Sequence, residues 1–305
     1  MVAPVFLIVA VGYILKWRGI INDNFITVSS RVVFTVAIPS LIFSQLSAID
    51  FSRVFDVYLI LFVYALTMLT FIISWVVSLF ITKDRIDRGA FIQGSFRGNY
   101  AIIGLALILS ALGKDALAKG SIVLAFTIPL YNILAVLVLS FYSQKDEKPD
   151  WGKTLFHIAT NPLIIAILLS LPFSYLKIQL HPVITSTIQY IAVLTLPLAL
   201  LGIGGYLNFS ELKKASANAF LSSGLKIIVF PLLGTFAAYL AGYRGDELGI
   251  MFILFGCPTA IASFVMAEAM GSNGRLAGSI VLLTTLGSIA TISLGLFILK
   301  QNGLI

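Results

Sequence analysis

Apolar stretches about 20 residues long recur along the whole chain, separated by short polar connectors. A bilayer core about 30 Å thick takes roughly 20 helical residues to cross, and lipid offers the backbone no hydrogen bonds. Segments of this length must satisfy their own amides, and the helix is the form that does so. Composition agrees: 59% of the 305 residues are apolar and 11% are charged, too few charges to solvate a water-soluble surface. The net charge of +7 comes from Lys and Arg standing singly between apolar runs, with no basic patch and no interleaved aromatics. Nucleic acid is therefore not expected as a partner. The lone Cys257 cannot close an intrachain disulfide, and His157 and His181 lack metal-ligand spacing, so no metal or cofactor is expected. Met1-Val2-Ala3-Pro4 has no basic n-region, which makes the first run a retained span and not a cleaved signal.

Apolar runs set against turn and charge signals predict ten spans, near residues 2–19, 25–48, 55–82, 89–112, 116–142, 154–175, 182–207, 217–242, 248–270 and 276–300. The polar connector 143–153, carrying Pro149, divides the single membrane domain 1–305 into a first unit, 1–142, and a second, 154–305, of five spans each. Alternate connectors differ in basic residues. One side holds eleven: Lys16, Arg18, Lys83, Arg85, Arg88, Lys145, Lys148, Lys153, Lys213, Lys214 and Arg275. The other holds six: Arg53, Lys114, Lys119, Lys177, Arg244 and Lys300. The richer side is expected to be cytoplasmic, which puts the 143–153 linker inside and both termini outside.

A displacement of 158 positions brings the halves into register. Pro4 meets Pro162, Pro39 meets Pro197, Asp50-Phe51-Ser52 meets Asn208-Phe209-Ser210, Gly98 meets Gly256 and Gly113 meets Gly271; Gly120 to Leu124 is identical to Gly278 to Leu282. Isolated matches arise from composition alone, but an identical pentapeptide and two prolines at one offset do not. Five is an odd number of crossings, so the second unit is expected to enter from the opposite face and lie inverted. Paired inverted units are the layout of many alternating-access carriers, with substrate near the midplane where helices are interrupted.

Matched interruptions occur in spans 4 and 9. Span 4 reads Gly94-Ser95-Phe96-Arg97-Gly98-Asn99-Tyr100, and span 9 reads Gly256-Cys257-Pro258-Thr259. Glycine relaxes the chain and proline removes a donor, so both spans are expected to unwind there. The second half of each, starting near Ala101 and Thr259, then presents unpaired N–H groups and a positive dipole end, which favour an anion. The expected site comprises Arg97, Gly98, Asn99, Tyr100, Cys257, Pro258, Thr259 and Ser263. In it Asn99 donates its amide to a carboxylate, and Thr259 caps its own half-helix. Arg97 either adds its fork of donors, snorkels toward the cytoplasm or pairs with an acid. Arg31 reads as a snorkelling anchor. Lys226 and Glu268 form either a buried pair or a proton relay, with Asp56 as a further candidate proton group. Gly202-Ile203-Gly204-Gly205 reads as close helix packing, and the remaining prolines as kinks.

These residues resemble the auxin efflux carrier family. Cys257-Pro258-Thr259, followed by Phe264-Val265 and Ala267, is similar to its Pro-Gln-x-x-x-x-Phe-Val-x-Ala segment, with Thr259 in place of Gln. Asn99 with Gly104 is similar to the Asn-x-x-x-x-Gly-x-Pro segment, although Ala106 stands where that pattern has proline and Tyr100 is the positional partner of Pro258. Arg31, Val33, Ala37 and Pro39 match a third pattern. The likeness covers the whole chain and is to short bacterial members that lack the plant proteins' central loop. It implies an all-helical membrane protein with spans 1, 2, 6 and 7 as scaffold, the other six as a moving transport unit, and spans 4 and 9 crossing. It also implies carboxylate substrates such as auxin or malonate, contacts through Asn99, Pro258 and Thr259, a homodimer through helices 2 and 7, and residence in the bacterial inner membrane. Two departures bear on coupling: Glu268 replaces a family lysine, and span 3 has no acid between Val57 and Ile81.

The expectation is thus a secondary transporter of small organic anions. A sodium-coupled symporter of the bile acid transporter type is the alternative, for which spans 4 and 9 offer only Ser95, Asn99, Thr259, Ser263 and the distant Glu268 as oxygen ligands. An intramembrane enzyme is not expected: no paired acids, no Ser with a base and no His-rich motif lies at midplane depth.

Overall fold

Backbone that must satisfy itself in lipid forms helices, and every regular element described here is helical. The computed structural model describes residues 3–48, 55–142, 152, 156, 159–206 and 215–305. The match of Asp50 to Ser52 with Asn208 to Ser210, the 143–153 connector apart from residue 152, and His157 lie outside the described residues.

The elements are α1 (Ala3–Trp17), α2 (Asp23–Val32), a π-helical turn Val33–Ala37, α3 (Ile38–Leu46), α4 (Val57–Ile81), α5 (Arg85–Phe96), a second π turn Tyr100–Gly104, α6 (Leu105–Ala111) and α7 (Lys114–Tyr142). There follow α8 (Pro162–Leu176), α9 (Pro182–Val193), α10 (Thr195–Tyr206), α11 (Ala217–Gly224), a third π turn Leu225–Val229, α12 (Phe230–Leu240), α13 (Gly245–Gly256), α14 (Ile261–Ala269) and α15 (Gly274–Gln301). Starts follow side-chain caps: Asn22, Asn161, Ser216 and Asn273 each accept an amide of the first turn. Prolines account for irregularities inside the spans. Pro39 and Pro231 each follow a π turn, and Pro197 follows the interruption at Leu194, because a residue without an amide cannot close the turn before it. Gly113 and Gly271, paired in the sequence repeat, both adopt left-handed backbone, with φ of 97° and 74°.

Among the described residues, six helical stretches are long and apolar enough to cross a membrane by length and composition: 23–46, 57–81, 114–142, 182–206, 217–240 and 274–301. Large apolar side chains on them face outward, Phe80 at 85% exposure and Leu232 at 65% among them, as lipid contact requires. The chain is a multi-pass membrane protein.

The chain divides into two compact units. One comprises 1–57, 101–126 and 155–207. Within it α1 packs on α10, α2 on α10, and α3 on α8 and α9. Its tightest approach involves glycine: a Cβ on Gly204 would stand 1.9 Å from the Val9 carbonyl oxygen, and one on Gly12 2.3 Å from that of Leu201. The glycine run is a close-packing device, as expected. This unit holds predicted spans 1, 2, 6 and 7, and in addition the second half of span 4 and the first part of span 5. The other unit comprises 58–100, 127–154 and 208–305. In it α5, α11, α13 and α14 pack on α15, around a core of Phe71, Phe91, Phe96, Tyr131, Val138 and Ile280. Residues Gly89 to Phe96 and Leu248 to Gly256 are buried on every side, so the two helices that lead to the interruptions are sheathed in protein and not in lipid.

Candidate functional site

The helix of span 4 stops at Phe96, and Arg97 is extended with φ −84° and ψ 107°. The helix of span 9 stops at Gly256, and Cys257 is extended with φ −63° and ψ 146°, as a residue before proline must be. Both interruptions fall where the breakers predict, and they touch. Gly98 and Thr259 form an antiparallel bridge: the Asn99 amide donates to the Pro258 carbonyl at 2.7 Å, and the Ala260 amide to the Arg97 carbonyl at 3.2 Å. Glycine is needed at 98 because a Cβ there would lie 2.7 Å from Cys257 Sγ and 3.1 Å from Lys226 Nζ.

Mutual pairing changes which amides are available. Those of Asn99 and Ala260 are occupied across the bridge, and that of Thr259 donates to Thr284 Oγ1 at 3.0 Å. Thr259 does not cap its own half-helix. Its hydroxyl donates to the Gly94 carbonyl at 2.6 Å, closing the end of α5, and α14 begins at Ala260 with no side-chain cap. The threonine points back because the bridge turns it toward the carbonyls that α5 leaves open at its end.

Lys226 and Glu268 do not meet. Lys226, fully buried in the third π turn, donates to the Phe255 carbonyl at 3.0 Å. It thereby places its charge at the negative end of α13. Glu268 is exposed near the end of α14, against Gly274. Asp56 is half-buried just before α4. Arg31 is exposed on α2, as an anchor would be.

Arg97 is buried and pairs with no acid among the described residues. Its Nη2 donates to Asn132 Oδ1 at 2.8 Å and its Nη1 to the Met266 thioether at 2.7 Å, a weak acceptor. Among the described residues Arg97 and Lys226 are the buried charged side chains, and no buried Asp or Glu accompanies them. A helix end supplies roughly half a charge, so α13 offsets part of Lys226 and none of Arg97. Gln93 Nε2 reaches the same Met266 thioether as Arg97, and Gln93 Oε1 and Ser263 Oγ are buried with no hydrogen-bond partner among the described residues. Asn99 and Tyr100 are buried beside the bridge. Ser95 Oγ lies 2.8 Å from Ser222 Oγ, and both hydroxyls engage the Phe91 carbonyl. The bridge thus brings Arg97, Gly98, Asn99, Cys257, Pro258 and Thr259 together, with Ser263 in the first turn of the following α14.

Asn132, Tyr131, Met266 and Thr284 were not among the expected residues. A polar Asn in the apolar run Leu130 to Val136 is the one signal the sequence gives for any of them. The others become visible only through the packing of α7, α14 and α15.

The site chemistry agrees with what the chain resembles as a whole. The family profile described as Membrane transport protein matches residues 1–296. An uncharacterized transporter of Methanothermobacter thermautotrophicus is 26% identical over 297 residues, covering 96% of this chain and 95% of that protein. An uncharacterized transporter of Methanocaldococcus jannaschii is 24% identical over 297 residues, covering 95% of each. A Rhizobium meliloti protein, provisionally named a malonate transporter, is 24% identical over 274 residues, covering 88% of this chain and 85% of its own.

Proposed function

Because the chain belongs to the membrane transport protein family, that of the auxin efflux carriers, we propose that it is a secondary carrier of small organic anions working by alternating access. The observation that carries this reading is the Arg97 guanidinium, buried beside the crossing with only neutral partners. An unpaired buried cation is unfavourable until an anion joins it, so a carboxylate is the natural complement. In this reading one carboxylate oxygen accepts from the free donors of Arg97, and the other from the side-chain amide of Asn99. Ser263 and the uncapped start of α14 complete the cradle, with Lys226 adding long-range attraction. The name of the Rhizobium meliloti relative favours a short dicarboxylate of the malonate type, with auxin-like monocarboxylates as the wider class.

The transport cycle we propose uses ten spans as two inverted five-helix repeats, supported by the internal sequence match and by helix ends that recur within two residues of its offset, Ile81 with Leu240 and Phe96 with Gly256. The unit containing both interruptions is the moving part, and the unit containing spans 1, 2, 6 and 7 is the scaffold, through which two copies pair by spans 2 and 7. The excess of basic residues in one set of connectors supports an inner-membrane orientation with both termini outside.

Purified protein in liposomes, given labelled malonate, tests the proposal. Saturable uptake, competed by other carboxylates and lost with Arg97→Gln, is the expected result. Retention of full uptake by Arg97→Gln would remove the site, and strict dependence on a sodium gradient would favour the symporter alternative.

A further inference from the structure

A second cationic feature lies outside the crossing. α4 ends at Ile81, and α5 opens with Arg85 and, one turn later, Arg88. A cleft of about 380 Å³ is lined by Trp75 and Leu79 of α4, by these two arginines, and by Phe141 and Tyr142 of α7. Arg85 Nη2 donates to the Phe141 carbonyl at 2.8 Å, with its guanidinium carbon 5.7 Å from that ring's centroid. Arg88 Nε donates to the Thr82 carbonyl at 3.0 Å. Each guanidinium is thus held by one edge and keeps further donors. Asp84 and Asp87 alternate with them, but Asp87 Oδ1 accepts from Asn273 Nδ2 at 2.7 Å, and neither arginine forms an ion pair among the described residues. The Thr82 hydroxyl beside Arg88 is buried without a partner among those residues.

What adjoins the cleft decides the kind of anion. Ile72, Val76, Leu79 and Phe80 are all exposed and follow one face of α4, and Leu79 belongs to the cleft as well. The apolar strip therefore runs into the cationic pocket. Trp75 and Tyr142 have the amphipathic rings that settle at the level of lipid headgroups. A soluble phosphate would use the arginines and leave the strip and the rings unexplained. We propose that this cleft binds the phosphate of an anionic phospholipid on the forks of Arg85 and Arg88, with the acyl chains lying along the exposed face of α4.

Native mass spectrometry of the full chain in detergent tests this with phosphatidylglycerol, phosphatidylcholine and inorganic phosphate as probes. Wild type should retain phosphatidylglycerol over phosphatidylcholine, and each arginine removed in Arg85→Gln and Arg88→Gln should lower that ratio about fivefold. Arg244→Gln should leave it unchanged, since Arg244 does not line the cleft. Equal retention of the two lipids by wild type overturns the proposal without any variant. So does an unchanged ratio in the double variant, and so does displacement of the lipid by inorganic phosphate, which would assign the cleft to a soluble anion.

Discussion

The Arg97 guanidinium and the Asn132 side-chain oxygen lie 2.8 Å apart, a buried cation bound to an uncharged partner. Hydrogen bonding of this kind fixes the direction of the guanidinium and leaves its charge in place.

Replacing Arg97 therefore separates binding from folding. Arg97→Gln should melt at a temperature equal to or above that of wild type without ligand, because a costly buried charge has gone. Its affinity for malonate, read by calorimetry, should fall by about two to three orders of magnitude, the usual loss when one member of a buried charged contact is removed. Arg97→Lys should fall between the two, keeping the charge and losing the fork.

Crowding at the bridge gives a second expectation. Gly98→Ala drives a methyl group against Cys257 Sγ and should destabilise the protein by about 1–3 kcal/mol. Cys257→Ala, combined with it, should restore part of that loss in a double-mutant cycle followed by thermal unfolding. Recovery stays incomplete, because the Leu254 carbonyl oxygen also lies 3.3 Å from the new methyl position.

Thr259→Val tests the closing of α5. Valine keeps the shape and loses the bond to the Gly94 carbonyl, so a cost of about 1 kcal/mol or somewhat more is expected, with a buried acceptor left open. Thr259→Ser keeps the hydroxyl and should stay near wild type in the same unfolding measurement.

Neighbouring glycines in α10 should answer differently. Gly204→Ala places a methyl group inside the van der Waals radius of the Val9 carbonyl, a backbone atom that cannot turn aside, and should abolish the monodisperse peak in detergent chromatography. Gly202→Ala meets only Ser30 Oγ at 3.4 Å and should elute as wild type does.

The contrast between Pro258 and Thr259 shows how far sequence reaches. Proline has one local consequence, an extended Cys257 and a stopped helix, and this is readable from the dipeptide. The hydroxyl of Thr259 has several candidate acceptors, and the choice of Gly94 follows from a crossing of segments 165 residues apart. Lys226 illustrates the same limit. Its burial is expected of a lysine within an apolar span, but its partner is a backbone carbonyl at a helix end, an acceptor that every residue type supplies equally. Breaks and close-packed glycines were legible because glycine and proline act on the backbone directly. The partners of Arg97 were not, because they sit on helices whose contacts arise only in the packed protein.

The two-rung pairing at Gly98 and Thr259 also bears on what a guest molecule has to supply. Unwinding a helix deep in a bilayer leaves main-chain groups stranded, and here each break lends the other its missing partners. The pair of breaks is thus stabilised by the fold itself. Under the proposed function, the energy of a substrate's contacts goes into holding on instead of prising two coils apart.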